Sequence, residues 1–201
     1  MSWVAAKPLL LASKSEARQF LLRSCGIEFE VAPVDFDERA FEKDHSKLLP
    51  DEMALALAQA KAQKAVMKHQ GRMVLAADQI LLFEGHCLHQ CANREEALKQ
   101  LQTLSGKTHD LISAAVLVDE NNQQHVWQEK AEMQMRPLTV SEIEDYFDLE
   151  GPQILKSVGC YHYESHGRLL FSNVKGSVPA ILGMPMQGLQ DYLRQKGCLQ
   201  G

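Results

Sequence analysis

Two acidic positions, one lysine and a serine-rich turn carry the residue types and spacings in this chain that offer chemistry. Asp78 directly follows the apolar run Met73-Val74-Leu75-Ala76-Ala77. A carboxylate at the carboxyl end of a buried strand is placed to hold Mg2+ or to orient water at the cleft edge of an α/β sheet; the plainer reading is an Asp that starts a turn. Asp37-Glu38 follow an extended stretch over 29–34. Lys61 has Ala54, Leu57, Ala58 and Ala65 around it at helical spacings, so its ammonium either snorkels to solvent or points into a cleft that holds an anion. Lys64 and Lys68 share a neighbouring, more polar stripe. In Ser13-Lys14-Ser15-Glu16-Ala17-Arg18, two hydroxyls and the N–H groups of a helix start lie beyond a strand's end, a place that suits phosphate. Arg18 adds a fork of donors and Lys14 a flexible point charge. Ordinary capping plus a surface arginine is the alternative.

His86, Cys87, His89 and Cys91 are all of zinc-ligand type. In an extended segment the outer Cα atoms of Cys87 and Cys91 lie about 13 Å apart, too far for one ion with bonds near 2.3 Å, which argues against a zinc site. The tail 174–185 joins Gly and Pro turns to an apolar middle and then opens a helix, with Pro185 suited to its first turn. Such a loop walls a base or ribose pocket or simply packs a last helix. His109 and Tyr161 fall in no decisive pattern.

The elements that must position these groups follow from periodicity. Leu9 to Ala12 reads as a short buried strand, followed by a helix capped by Ser13 or Ser15 and ending at Gly26. Helices are expected over 52–69, 94–104, 141–149 and 186–196, and strands over 73–77, 80–83, 110–118 and 126–135, the last two forming a long hairpin across Asn121-Asn122. Helices and strands interleave without a regular βαβ rhythm, which predicts a mixed α/β sheet. The 201 residues, 45% hydrophobic and 23% charged, suffice for one domain over 1–201, in two lobes if the loop-like stretch 44–51 separates them. A net charge of −5 disfavours nucleic acid and anionic membranes as partners. No apolar run reaches the length needed to cross a bilayer, and the opening residues lack the pattern of a signal peptide. Five scattered cysteines fit reduced thiols, so the expected compartment is the cytoplasm.

Taken in order, these segments resemble the Maf family of nucleoside triphosphate pyrophosphatases over nearly the whole chain. Leu11-Ala12-Ser13-Lys14-Ser15-Glu16-Ala17-Arg18 is similar to the family's Leu-Ala-Ser-x-Ser-x-x-Arg opening, and Asp37-Glu38 and Lys61-Ala62 to its Asp-Glu and Lys-Ala elements. Ala77-Asp78-Gln79 resembles its Ala-Asp-Thr or Ala-Asp-Gln signature, Leu104-Ser105-Gly106-Lys107-Thr108-His109 its Leu-Ser-Gly-x-x-His, and Gly183-Met184-Pro185-Met186 its Gly-Leu-Pro-Leu. The Gln form, with Gly159-Cys160-Tyr161, resembles an alphaproteobacterial branch.

The resemblance implies an elongated, twisted mixed sheet with flanking helices and two lobes around a cleft, similar to inosine triphosphate pyrophosphatases. It implies hydrolysis of a standard or modified nucleoside triphosphate to monophosphate and pyrophosphate with Mg2+ or Mn2+, by a homodimer. Carried onto this chain, Asp78 and Glu38 hold the metal and help activate water, while Ser13, Ser15, Arg18, Lys61 and the Gln90 position bind substrate. Three departures stand out: Gln90-Cys91 where the family usually has Lys-Pro, one arginine where a second often accompanies it near Ala17, and Ser165 where a Gly follows Glu164. Gln90 removes a charge from the phosphate cradle yet still donates hydrogen bonds. A nucleotide-binding protein of weakened turnover, acting in cell-division control, is therefore the alternative, and a purely structural α/β domain the third.

Overall fold

The computed structural model describes residues 2–200. In chain order the elements are β1 (Ser2–Trp3), β2 (Leu9–Leu11), α1 (Glu16–Ser24), β3 (Phe29–Val31), α2 (Glu38–Asp44), α3 (Pro50–Lys68), β4 (Val74–Phe83), β5 (His86–Leu88), α4 (Arg94–Leu104), β6 (Thr108–Val118) and β7 (Gln124–Met135). There follow α5 (Val140–Glu150), three 3-10 turns (Gly151–Lys156, Val158–Cys160 and His166–Leu170), β8 (Phe171–Lys175), α6 (Val178–Ile181), α7 (Gln187–Gln195) and β9 (Leu199–Gln200).

Local chemistry sets the helix starts. The Ser15 side chain accepts from the backbone N–H of Arg18, which settles the cap of α1 on Ser15 rather than Ser13. Glu52 accepts from the Leu49 N–H at 2.9 Å and Pro50 fills the first turn, so α3 begins two residues before the expected position. A reciprocal Thr139–Glu142 cap starts α5 at Val140. Pro185 precedes the α7 cap, Met186, instead of occupying the first helical position.

The main sheet runs β3-β2-β4-β6-β7-β8, with β5 on the free end of β4. Strand β2 is parallel to both β3 and β4, and the β4–β6, β6–β7 and β7–β8 pairs are antiparallel, so the sheet is mixed as expected. The hairpin of β6 and β7 turns where Asn121-Asn122 predicted it: Asp119 accepts from the N–H groups of Asn121 and Gln123, and Asn122 takes φ 63°.

The expected pair of strands over 73–77 and 80–83 is a single strand of 10 residues, with Asp78 opposite Ala114 and Gln79 opposite Ser113. Asp78 therefore lies inside the strand rather than at its end. The polar pair does not interrupt pairing because each side chain finds a partner on the face it enters, as described below.

Successive residues of β4 face opposite sides. Val74, Ala76 and Ile80 pack with Leu10, Ala114, Val116 and the Ala54, Leu57, Ala58, Ala62 stripe of α3. Leu75 and Ala77 pack on the other face with Leu9, Leu21, Leu22, Leu117, Leu189 and Leu193, under α1 and α7. A third cluster, around Leu81, Leu101, Leu111, Met133, Ile143 and Phe147, joins the far ends of β4, β6 and β7 to α4 and α5.

Candidate active site

On the α3 face of β4, Asp78 is 6% exposed and its carboxylate pairs with the ammonium of Lys61, a residue 7% exposed. Lys61 also pairs with Glu38 at 2.7 Å, across from the first turn of α2. Of the two readings of Lys61, the snorkelling one is set aside: the residue is buried and its charge ends between two carboxylates. Burial pushes the Asp78 carboxyl above its usual range, with Glu38 adding to the rise, while Lys61 and Arg18 oppose it.

Arg18 approaches from α1. Its Nε donates to the Gly183 carbonyl at 3.0 Å and its Nη1 to the Ser13 hydroxyl at 3.2 Å. Burial holds its pKa below the ordinary arginine value, opposed by the charges of Asp78 and Glu38. Ser13 Oγ also accepts from the Ser15 N–H, at 3.2 Å. The two serine hydroxyls accept bonds that order the turn after β2 and the arginine, and these bonds use neither hydroxyl proton. Two of the five N–H donors of Arg18 are used in these bonds, leaving three for a ligand.

Glu38, Asp78 and Gln79 line a cleft with Arg39, Glu42, Cys87, His89, Gln90 and Val158. Glu42 sits 3.7 Å from the His89 ring, and burial raises its carboxyl pKa. Gln90 also lies at this wall, and its amide nitrogen donates to the Lys156 carbonyl at 2.6 Å, which ties it to the first 3-10 turn. Asp78, Glu38, Lys61 and Arg18 are thus brought together, and Ser13 and Ser15 support them.

On the opposite face of β4, the Gln79 amide nitrogen shares its two protons among three acceptors, the Ser113 hydroxyl at 3.0 Å and the carbonyls of Ala180 and Ile181 at 3.0 and 2.9 Å. The Ser113 hydroxyl donates to the Ala180 carbonyl at 2.6 Å. The last residues of α6, which lead into the loop before α7, are therefore tied to the middle of the sheet.

A model of the family described as Maf-like protein matches residues 8–196. The chain belongs to the Maf family. Among its relatives, a protein of Rhodopseudomonas palustris strain BisB18, named nucleoside triphosphate pyrophosphatase, is 41% identical over 98% of both chains. One of the same name from Caulobacter vibrioides is 37% identical over 96% of this chain and 97% of its own. The Ham1 protein of Staphylococcus aureus is similar in structure with a TM-score of 0.49 and 14% identity, covering 94% of this chain and all of that one.

Within the Maf signature Ala77-Asp78-Gln79, the structural role of Gln79 escaped the sequence reading, as did those of Ser113, Arg39 and Glu42. Ser113 left a signal: it is the single polar residue between Leu111 and Val118, and a hydroxyl buried in such a run requires partners. Glu42 lies one helical turn after Glu38, on the same side of α2.

Proposed function

We propose that this Maf protein hydrolyses a nucleoside triphosphate between the α- and β-phosphates, releasing nucleoside monophosphate and pyrophosphate. The observation that carries the reading is the Asp78–Lys61–Glu38 constellation at a cleft wall, with a partly committed arginine beside it. The names of the Maf relatives support the same reaction.

The donor set fits a divalent ion such as Mg2+ or Mn2+. Asp78 and Glu38 are hard oxygen ligands on one cleft, and Mg2+ is commonly held by one or two carboxylates with substrate phosphates and water completing its shell. When bound there, the ion supplies charge neutralisation to the phosphates and polarises the bond under attack. Arg18 holds phosphate oxygens with its remaining N–H groups, and the α1 start assisted by Ser13 and Ser15 contributes backbone donors. Lys61 pairs with both carboxylates and offsets the repulsion between them. A carboxylate of the pair accepts the proton of the water that attacks the α-phosphorus in line with the departing pyrophosphate.

A second reading, nucleotide binding with weakened turnover in cell-division control, draws on Gln90, which puts a neutral amide already bound to the Lys156 carbonyl at this wall. Pyrophosphate release from a panel of standard and modified triphosphates, with and without Mg2+ or Mn2+, separates the two. Metal-dependent release that Asp78→Ala abolishes in a folded protein supports hydrolysis. Silence with retained nucleotide binding, relieved by Gln90→Lys, supports the second reading.

A further inference from the structure

We propose that Gln79, together with Ser113, is a positioning residue for Arg18, acting through the backbone turn over residues 180–183. The inference rests on the hydrolase reading for its kinetic consequence, but the clamp itself is a matter of geometry.

The Gln79 amide nitrogen is surrounded by acceptors: the Ser113 hydroxyl and the carbonyls of Ala180 and Ile181. Its orientation is thereby fixed, nitrogen toward the turn. Ser113 is wholly buried, and its hydroxyl accepts from Gln79 while donating to the Ala180 carbonyl, which uses its single proton. Two side chains from adjacent strands thus seize the same short stretch of backbone. That stretch ends at Gly183, whose carbonyl accepts from Arg18 Nε.

Gly183 takes φ +90°, and a Cβ built on it would lie 3.4 Å from both Nε and Nη2 of Arg18 and 3.5 Å from Gln79 Oε1. Arg18 and Gln79 therefore meet across a glycine where a methyl would only touch both, but where φ +90° strains any L side chain and would shift the carbonyl that Arg18 uses. The aim of the guanidinium is set by two acceptors, Ser13 Oγ and the Gly183 carbonyl. The second of these is held in place by Gln79 and Ser113. In β4 the Asp78 carboxylate serves one face of the site while its neighbour Gln79 fixes, from the other face, the arginine that shares the substrate.

The test is a double-mutant cycle. Gln79→Met keeps length but removes the donor, and it should lower kcat/KM about 10- to 100-fold, the usual cost of losing a group that orients a ligand-binding side chain. Gly183→Ala should produce a similar loss while leaving Gln79 in place. In an Arg18→Ala background, Gln79→Met should cost less than about threefold more, because the group it aims is gone. A purely structural role predicts instead that the losses multiply, and that result, or an unchanged Gln79→Met enzyme, overturns the proposal. Should Gln79→Met fail to fold, Gln79→Glu serves, since a carboxylate cannot donate to the two carbonyls.

The same cycle read by calorimetric binding of inorganic pyrophosphate does not need turnover. A wild-type protein that binds pyrophosphate with the non-multiplying pattern but cleaves no triphosphate retains the clamp and sinks the hydrolase reading. Turnover with multiplying losses does the reverse, and a protein with neither property overturns both.

Discussion

Lys61 carries more of the site than its single charge suggests. Its ammonium is the partner of a buried Asp78 and of Glu38, so removing it leaves one carboxylate buried without its cation. Lys61→Met should destabilise the fold by about 3 to 5 kcal/mol, the cost of breaking a buried pair from one side, and should abolish pyrophosphate release. Urea denaturation beside the activity assay checks both; full stability would show that Asp78 does not depend on this ion pair. At this scale the sequence displayed the residues but not their choices. Lys61 among alanines could equally have reached solvent, and a glutamine after an aspartate gives no sign of carbonyls about a hundred positions downstream. Those choices are made by residues from other elements, which one-dimensional spacing does not bring together.

Helices were easier to read than strands, because caps and periodicity are local. The cap of α5 and the end of α4 lie in the residues themselves: Thr139 with Glu142, and Leu104 before Ser105-Gly106. Strand β4 was read as two pieces because an apolar run is the sequence mark of a buried strand, and Asp78-Gln79 breaks that run without breaking the ladder. Packing between elements was not legible at all. Gly188 in α7 lies so close to Trp127 of β7 that a Cβ there would stand 2.1 Å from the indole Cδ1. Gly188→Ala should therefore lower stability by about 1 to 3 kcal/mol through overpacking, although alanine is the better helix former. Thermal melting of the variant measures this, and a raised midpoint would mean that the indole moves aside freely.

For the molecule as a whole, a buried titrating group packs against Tyr161 and Phe171 of the third cluster. His109 is 2% exposed, its Nε2 lies 2.8 Å from the Tyr161 hydroxyl, and its Nδ1 is buried without a partner. Burial lowers its pKa from 6.5 to about 4. The unfolded chain thus binds a proton that the folded one refuses between these values. The stability this residue permits is complete above about pH 6.5 and is lost as the pH falls toward 4, with about 2 kcal/mol gone by pH 5. Urea unfolding at pH 7.5 and pH 5 should show that loss in the wild type and a smaller one in His109→Gln; equal losses would assign the acid sensitivity elsewhere. The alternation of Asp78 and Gln79 across the sheet has a further consequence. A slip of β4 by one position would turn every side chain of the strand to the wrong side. It would expel Val74, Ala76 and Ile80 from one hydrophobic layer in the same stroke that it carried the carboxylate away from Lys61. Structural fidelity and chemical competence are therefore tied to one register, and a misthreaded chain has no route to a stable, inactive counterfeit of the native protein.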